Sequence, residues 1–353
     1  MKKFTNRFSF AQDVTHKIYG LISQIEESKG QWKAGVHLSP QILSRLKKSV
    51  IITSSGASTR IEGAKLSDDE VEKLLKGLKI QKLKTRDEQE VSGYAELLTN
   101  IFDSFRTIKF SEGTIRHFHN ELLKYSVKDV RHRGNYKFGS NRVEAKDFDG
   151  NVIGVLFDPT PPHLVSKEMN ELIDWTIDEF DKKEIHPLII IGNFIFEFLS
   201  IHPFQDGNGR VSRTLTNLLL LKNGYEYIPY ISHEKLVEDN KEAYYLALNK
   251  SQKSWKTNNE NITPWLIFFL TILFEQTKRA ISLLSSESIE HLLSEKQLEV
   301  WSYLQKHKKV TPRELQKQLK MPAPTILQVL NKLLNMKKIE RIGEGRAVRY
   351  TRL

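Results

Sequence analysis

Twelve positions gather most of the chemistry this chain offers. His202-Pro203-Phe204-Gln205-Asp206-Gly207-Asn208-Gly209-Arg210 is followed one turn on by Arg213. The segment holds an imidazole, a carboxylate, two glycines, two amides and two guanidinium groups. Each type has a use around a phosphate. Gly207 and Gly209 allow positive φ and a close backbone approach, so that successive N–H groups form an anion nest. Arg210 and Arg213, three apart, share a helix face and can grip separate phosphates in bidentate fashion. Asp206 is a hard oxygen ligand suited to Mg²⁺ bridging phosphate oxygens. His202, with an ordinary pKa of about 6.5, lies in the range of a general base at neutral pH.

Two elements must position these groups. Pro187 to Ile201, directly before the segment, is almost wholly apolar, and Val211 to Leu221, directly after it, is apolar and rich in helix formers. A polar, glycine-bearing loop between two core-seeking helices aims unpaired N–H groups and a positive helix end at whatever the loop holds. A plain Asp-Gly turn with surface charges is the bland alternative, and the flanking apolar helices argue against it. Two familiar phosphate motifs fail on spacing. A P-loop needs Lys-Ser/Thr after its glycines, where Arg210-Val211 stands; a dinucleotide fingerprint needs a third glycine and a preceding strand, but position 212 is Ser and the lead-in reads as helix.

His202 to Arg213 is similar, residue for residue, to the HPFx(D/E)GNGRxxR signature of the Fic family. Members of that family are nucleotidyltransferases, most of which move AMP from ATP onto a protein hydroxyl. The resemblance implies that His202 deprotonates the incoming Ser, Thr or Tyr hydroxyl and that Asp206 holds Mg²⁺. It makes Asn208, with the Gly207 and Gly209 amides, the α-phosphate cradle, and Arg210 and Arg213 the clamps on the outer phosphates. Phe204 is expected to anchor the loop in the core. Gly209 favours AMP transfer, because the phosphorylating Doc branch carries Lys at that position.

Other segments resemble further parts of that family. Ser58-Thr59-Arg60-Ile61-Glu62-Gly63 fits its (S/T)xxxE(G/N) inhibitory motif, which implies a Glu62 carboxylate on Arg213 that blocks the γ-phosphate; alone, the hexapeptide is equally an ordinary helix end capped by Gly63. Asn141 to Leu156 carries Asp149-Gly150-Asn151 between β-prone runs, a hairpin signal. It resembles the Fic flap, which pairs by backbone with an extended target segment; Gly154, Val155, Leu156 and Phe157 would then lie over the nucleotide. In Lys241 to Leu248, Tyr244 resembles the tyrosine that faces adenine, although a core Tyr is the alternative. Gln252 stands where many relatives carry an adenine-contacting Asn.

The 353 residues leave room for two or three domains. The absence of cysteine rules out disulfides and thiolate metal sites. The basic start of the chain lacks the apolar core of a secretion signal, and the longest apolar runs, Leu188 to Ile201 and Trp265 to Phe274, read as buried helices and not as spans. A cytoplasmic location without membrane contact is expected. Glycines 192 and 224 and Pro229 are expected to stop helices. The organisation expected is an N-terminal helical region over 1–85 with the inhibitory motif at 58–63, a Fic catalytic domain over 86–285, and a tail over 294–353.

That tail holds fourteen Lys or Arg against five acidic residues, a surplus of nine in a chain whose net charge is +11. Thr311-Pro312 reads as N-cap and first helical position, Pro324 as the opening of a third helix, and 339–342 with 347–351 as a hairpin. The pattern resembles a winged helix-turn-helix. Thr325, Gln328, Asn331 and Lys332 then recur along one helix and could face a DNA groove, though such modules also bind proteins.

The fold class expected is therefore mainly α: a Fic helical fold with a β-hairpin flap, plus a winged helix. The function expected is a protein adenylyltransferase using ATP and Mg²⁺, restrained by Glu62 and acting on a target's extended hydroxyl-bearing segment, and possible on itself. Two alternatives stand beside it. One is a de-AMPylating or bifunctional enzyme using the same residues; the other is a DNA-binding regulator whose Fic unit senses ATP. A homodimer is implied by the resemblance.

Overall fold

A computed structural model describes residues 4–35, 38, 40–77, 83–146, 152–285, 293–307, 309–343, 345 and 348–352. It divides into two compact units, 1–36 with 43–282 and 37–42 with 283–353, and no unit boundary falls near residue 85. The described residues are mainly helical.

In the larger unit a 3₁₀ turn (Thr5–Phe8) leads to α1 (Gln12–Gly35), α2 (Pro40–Ile61), α3 (Asp68–Lys76), α4 (Arg86–Ser104) and α5 (Glu112–Leu122). An antiparallel hairpin follows, β1 (Val143–Lys146) with β2 (Val152–Phe157), and then α6 (Pro162–Lys182), α7 (Pro187–Ile201) and α8 (Asn208–Lys222). After α9 (His233–Asp239) and α10 (Lys241–Gln252), α11 (Thr263–Ser285) ends the unit.

The centre is the α7–α8 pair. Helix α7 starts where the composition dictates, with Pro187 at its first position and the His186 ring accepting from the Leu188 N–H at 3.2 Å. Every residue of α7 from Leu188 to Ile201 is buried, which explains a sequence apolar on all faces. Gly192, expected to stop a helix, lies inside α7 instead. A Cβ there would come within 2.8 Å of a Leu266 methyl, and its carbonyl accepts from the Trp265 indole at 2.8 Å, so this glycine admits α11 to close contact. Gly224, at φ +84°, does follow a helix end, whereas Pro229, also expected to stop a helix, lies inside a 3₁₀ turn (Ile228–Tyr230).

The sequence pattern carries no sign of what closes α7 from the N-terminal side. Arg7, 5% exposed, pairs with Glu197 at 2.8 Å and Glu260 at 2.5 Å and donates to Asn193 at 3.2 Å. A buried carboxylate inside an apolar helix is thereby matched by a cation from the chain start.

The hairpin pairs Val143 with Phe157 and Lys146 with Val152, with irregularities in register. Its expected turn, Asp149-Gly150-Asn151, lies outside the described residues, as does most of the polar patch after Ser285.

The smaller unit contains α12 (Glu295–Lys306), α13 (Pro312–Leu319), α14 (Ala323–Asn335), β3 (Ile339–Ile342) and β4 (Arg349–Arg352), the strands antiparallel. Thr311 caps α13 in a reciprocal box with Glu314, and Pro312 occupies the first turn. Trp301, Leu304, Leu315, Ile326, Leu330, Leu333 and Tyr350 are among its buried core. Among the described residues no helix is long and apolar enough to cross a membrane.

Candidate active site

Residues 202–207 join the C-terminus of α7 to the N-terminus of α8. His202 is the residue that caps α7, with φ 52° and ψ 61°. A non-glycine residue in this left-handed region costs roughly 1–2 kcal/mol, so its surroundings must hold it there. Gly207 precedes α8 at φ 79°, where its lack of a Cβ is needed. Between them Phe204 is fully buried and stacks on the His119 ring, with centroids 3.9 Å apart and planes 8° from parallel. The expected core anchor is in place.

The His119 imidazole, from α5, pins the loop. Its Nδ1 accepts the Gly134 N–H at 2.8 Å, which leaves the proton on Nε2 to donate to the Asp206 carbonyl at 3.0 Å. Burial pushes its pKa down to about 4, so the ring is neutral at physiological pH.

The His202 Nδ1 lies 3.2 Å from the Leu199 carbonyl, which can only accept. Nδ1 therefore carries the proton and Nε2 keeps its lone pair. Burial pushes this imidazole down to about 4 as well, against an ordinary value that the residue type alone suggests. A bound polyphosphate would raise it again. The ring is thus an unprotonated base at neutral pH.

Asn208 departs from its expected role. Its Oδ1 accepts from the Phe204 N–H at 2.8 Å and its Nδ2 donates to the Phe204 carbonyl at 2.7 Å. The side chain is 2% exposed and closes the loop on itself, so an anion would meet the backbone N–H groups at the start of α8 and not this amide.

Arg210 and Arg213 were expected to share a face, yet they diverge to different helices. Arg210, buried, lies 3.0 Å from Glu90 on α4 and 3.3 Å from Asp206. Arg213, equally buried, donates from Nε to the Ser58 hydroxyl at 2.8 Å and from Nη2 to the Ser58 carbonyl at 2.9 Å. The same Nη2 meets Glu62 Oε1 at 2.7 Å. Burial opposes the Arg213 charge, but Glu62 outweighs it and holds the guanidinium above its ordinary pKa.

Glu62 leaves α2 in a turn closed by Gly63 at φ +105°. Arg60 fixes that helix end by donating to both Glu238 oxygens at 2.5 and 3.1 Å and to the Leu66 carbonyl at 2.8 Å. The carboxylate then rests on the start of α8: a Cβ at Gly209 would lie 2.2 Å from Glu62 Oε1. One negative group thus occupies both the second arginine and the amide end of the helix.

Asp206 is half-exposed and ionised: burial opposes its charge, while Arg210, the Gly207 N–H at 2.6 Å and Arg86 hold it below the usual carboxylate range. Among the described residues no cluster of three or more His, Cys, Asp or Glu could hold a metal alone. A lone carboxylate still fits Mg²⁺, which binds through one or two carboxylates together with substrate phosphates. Arg86 Nη2 now sits 2.5 Å from Asp206 Oδ2, a partner with no motif to announce it.

Of the remaining predicted residues, Tyr244 reaches the site, its hydroxyl accepting a hydrogen bond from the Arg213 guanidinium. Phe157 packs against Trp255, with ring centroids 5.3 Å apart; Gly154 and Val155 pair with Ala145 and Glu144, Leu156 falls at an irregularity in register, and the side chains of 154–156 lie outside the description. Tyr244 is 5% exposed among Trp265 and Phe268, whereas the neighbouring Tyr245 is 42% exposed. The structure places Tyr244 in the core, as the alternative reading of that position allows. Gln252 makes one long contact, to Ser200 at 3.4 Å.

Fold and loop together define a helical domain in which a glycine-preceded helix start lies one short loop from a neutral imidazole. Residues 109–220 match the model of the Fic/DOC family, and the chain carries a Fic domain. A stretch of 126 residues is 31% identical to a protein of Aquifex aeolicus named "Probable protein adenylyltransferase", covering 33% of this chain and 37% of that one. Another, of 110 residues, is 32% identical to the protein adenylyltransferase Fic of Nematostella vectensis, covering 31% and 23%. The chain therefore spans little more than a third of the first relative and under a quarter of the second. The crystal structure of a Fic family protein from Desulfovibrio desulfuricans covers 98% of both chains with a TM-score of 0.63 at 24% identity, a likeness of fold.

Proposed function

We propose that this protein transfers AMP from ATP to a Ser, Thr or Tyr hydroxyl of a target protein, or of itself, and that Glu62 restrains the reaction. The observation that carries the reading is the neutral His202 imidazole with an available Nε2, beside the amide end of α8. The hydroxyl gives its proton to Nε2 as its oxygen attacks the α-phosphorus, the bond to the bridging oxygen breaks, and pyrophosphate leaves. The triphosphate is steadied by the α8 amides and, once Glu62 withdraws, by Arg213, with Arg210 beside Asp206 at the outer phosphates. Asp206 would hold Mg²⁺, which supplies charge neutralisation of the phosphates when bound. The names of the relatives support ATP as donor.

Incubation with ATP labelled at the α-phosphate, with Mg²⁺, tests this on wild type, Glu62→Gly and His202→Ala. Weak label on wild type, strong label on Glu62→Gly and none on His202→Ala are expected. An unlabelled Glu62→Gly protein, across candidate targets and itself, refutes the activity.

The smaller unit we read as a winged helix with duplex DNA as its partner. Gln328 and Asn331 on α14 are exposed, as are Arg341, Arg349 and Arg352 on the strands. Lys332, expected to face the groove, instead donates to Gln297 at 2.9 Å. A gel shift over a salt series is the test, and no shift at low salt ends this reading.

A further inference from the structure

Left-handed backbone at a catalytic histidine must be held by something, and the holder is a loop that no part of the motif mentions. Four consecutive carbonyls, those of residues 201 to 204, are captured by two residues before the hairpin. Lys137 Nζ donates to the Ile201 carbonyl at 3.2 Å, and the Lys137 backbone N–H donates to that of Pro203 at 2.8 Å. Asn141 Nδ2 donates to the His202 carbonyl at 3.1 Å and to that of Phe204 at 2.8 Å. A fifth bond, Lys137 Nζ to Asn141 Oδ1 at 2.6 Å, decides which way the amide faces. With its oxygen on the ammonium, both Nδ2 protons must point at the carbonyls.

Lys137 is 4% exposed, so this ammonium sits in the core with carbonyl and amide oxygens for company. Burial pushes it down to about 8, which leaves it charged at neutral pH. A buried cation spent on main-chain carbonyls is costly unless the geometry it enforces is needed.

We propose that Lys137 and Asn141 are positioning residues that clamp the 201–204 backbone, hold His202 in its left-handed conformation and thereby aim its Nε2 at the acceptor hydroxyl. They touch neither nucleotide nor target. Because the same loop runs directly into β1, the clamp also ties the hairpin base to the catalytic imidazole. The inference rests on the AMP-transfer reading for its kinetic consequence, but its structural content does not.

The decisive substitution is Asn141→Asp, which keeps the volume, retains the Lys137 bond and sets carboxylate oxygen against two carbonyls. Lys137→Met is the second variant, removing the group that orients the amide. Both are made in the full chain carrying Glu62→Gly. Three quantities are read: ATP affinity by calorimetry with Mg²⁺, kcat for label transfer, and the ring ¹⁵N shifts of His202. ATP affinity within about twofold of the parent is expected, because α8 is untouched. A kcat fall of roughly 100-fold is expected, the scale of a misplacement near 1 Å. The His202 ring is expected to lose its single Nδ1–H tautomer. A variant that folds, binds ATP and keeps both kcat within threefold and the parent ring shifts overturns the proposal. Loss of ATP binding in step with kcat overturns it too, since that marks a merely structural role; should Asn141→Asp not fold, Lys137→Met decides. If the parent itself transfers no label, the AMP-transfer reading has failed, and the ring shifts still judge the clamp.

Discussion

Replacing Glu62 by glycine should raise both ATP affinity and AMP transfer, by an amount that follows from what the carboxylate now holds. It makes one charge-assisted hydrogen bond of 2.7 Å to an arginine that is only 3% exposed, while its own side chain is 33% exposed. A bond of that kind contributes about 1.5–3 kcal/mol. An incoming phosphate must displace it, so its removal corresponds to roughly a 10- to 150-fold gain. The carboxylate also sits against the α8 amide end, where a negative charge is worth about 0.3–1 kcal/mol more.

The geometry says how the gain divides. A carboxylate hydrogen-bonded to Arg213 competes with the outer phosphates for that guanidinium. ATP should therefore bind more tightly to Glu62→Gly, whereas AMP, which lacks those phosphates, should bind equally to both proteins. Glu62→Gln, which keeps an acceptor but not the charge, should fall between. Calorimetry with ATP and with AMP, paired with a time course of label incorporation, measures each quantity. An ATP affinity and a rate both within twofold of wild type would refute the competition argument. Equal tightening toward ATP and AMP would refute its assignment to the outer phosphates.

Three further outcomes are expected. Gly209→Ala places a Cβ 2.2 Å from Glu62 Oε1 and 3.2 Å from Arg213 Nη1, so it should expel the carboxylate; in that background Glu62→Gly should stimulate ATP binding less than threefold, and an undiminished effect would show that the two residues are not coupled. Arg86→Ala unmasks Asp206 Oδ2 and should tighten Mn²⁺ binding in the presence of ATP, read by electron paramagnetic resonance; weaker binding would mean that Arg86 helps to hold the ion's partners. For His119 the folded pKa, about 4, lies below the ordinary 6.5, so the unfolded chain binds the extra proton between those values. Its contribution, about 3 kcal/mol, is present above pH 6.5 and lost as pH falls toward 4. His119→Gln should therefore be less stable than wild type at pH 7 and show a flatter loss between pH 6.5 and 4 in chemical denaturation; parallel curves would contradict the assignment.

What the sequence discloses here depends on whether a residue's partner is near it in the chain. The α7 and α8 segments are legible because an unbroken apolar run can only be buried, and Thr311-Pro312 is legible because capping chemistry acts over three residues. Gly192 misleads for the opposite reason. Glycine in an apolar run means either a helix end or a close approach, and what decides is Leu266, seventy-four positions away. Asn208 is a similar case, since an amide beside two glycines suits an anion and a loop staple equally, and its two bonds to Phe204 settle the matter only in three dimensions. Arg86, Lys137 and Asn141 left no local trace, being polar residues in polar stretches whose partners in the 201–206 segment lie between 61 and 120 positions away. Charge state is the least visible property. His202 carries the residue type of a base with an ordinary pKa, yet burial makes it a far weaker one in this structure. Further negative charge beside it would favour proton transfer, adding to the pull of Glu62 and Asp206 against burial. Phosphates bound there would raise its pKa in that same direction, so in the proposed reaction base strength depends on occupancy of the phosphate site.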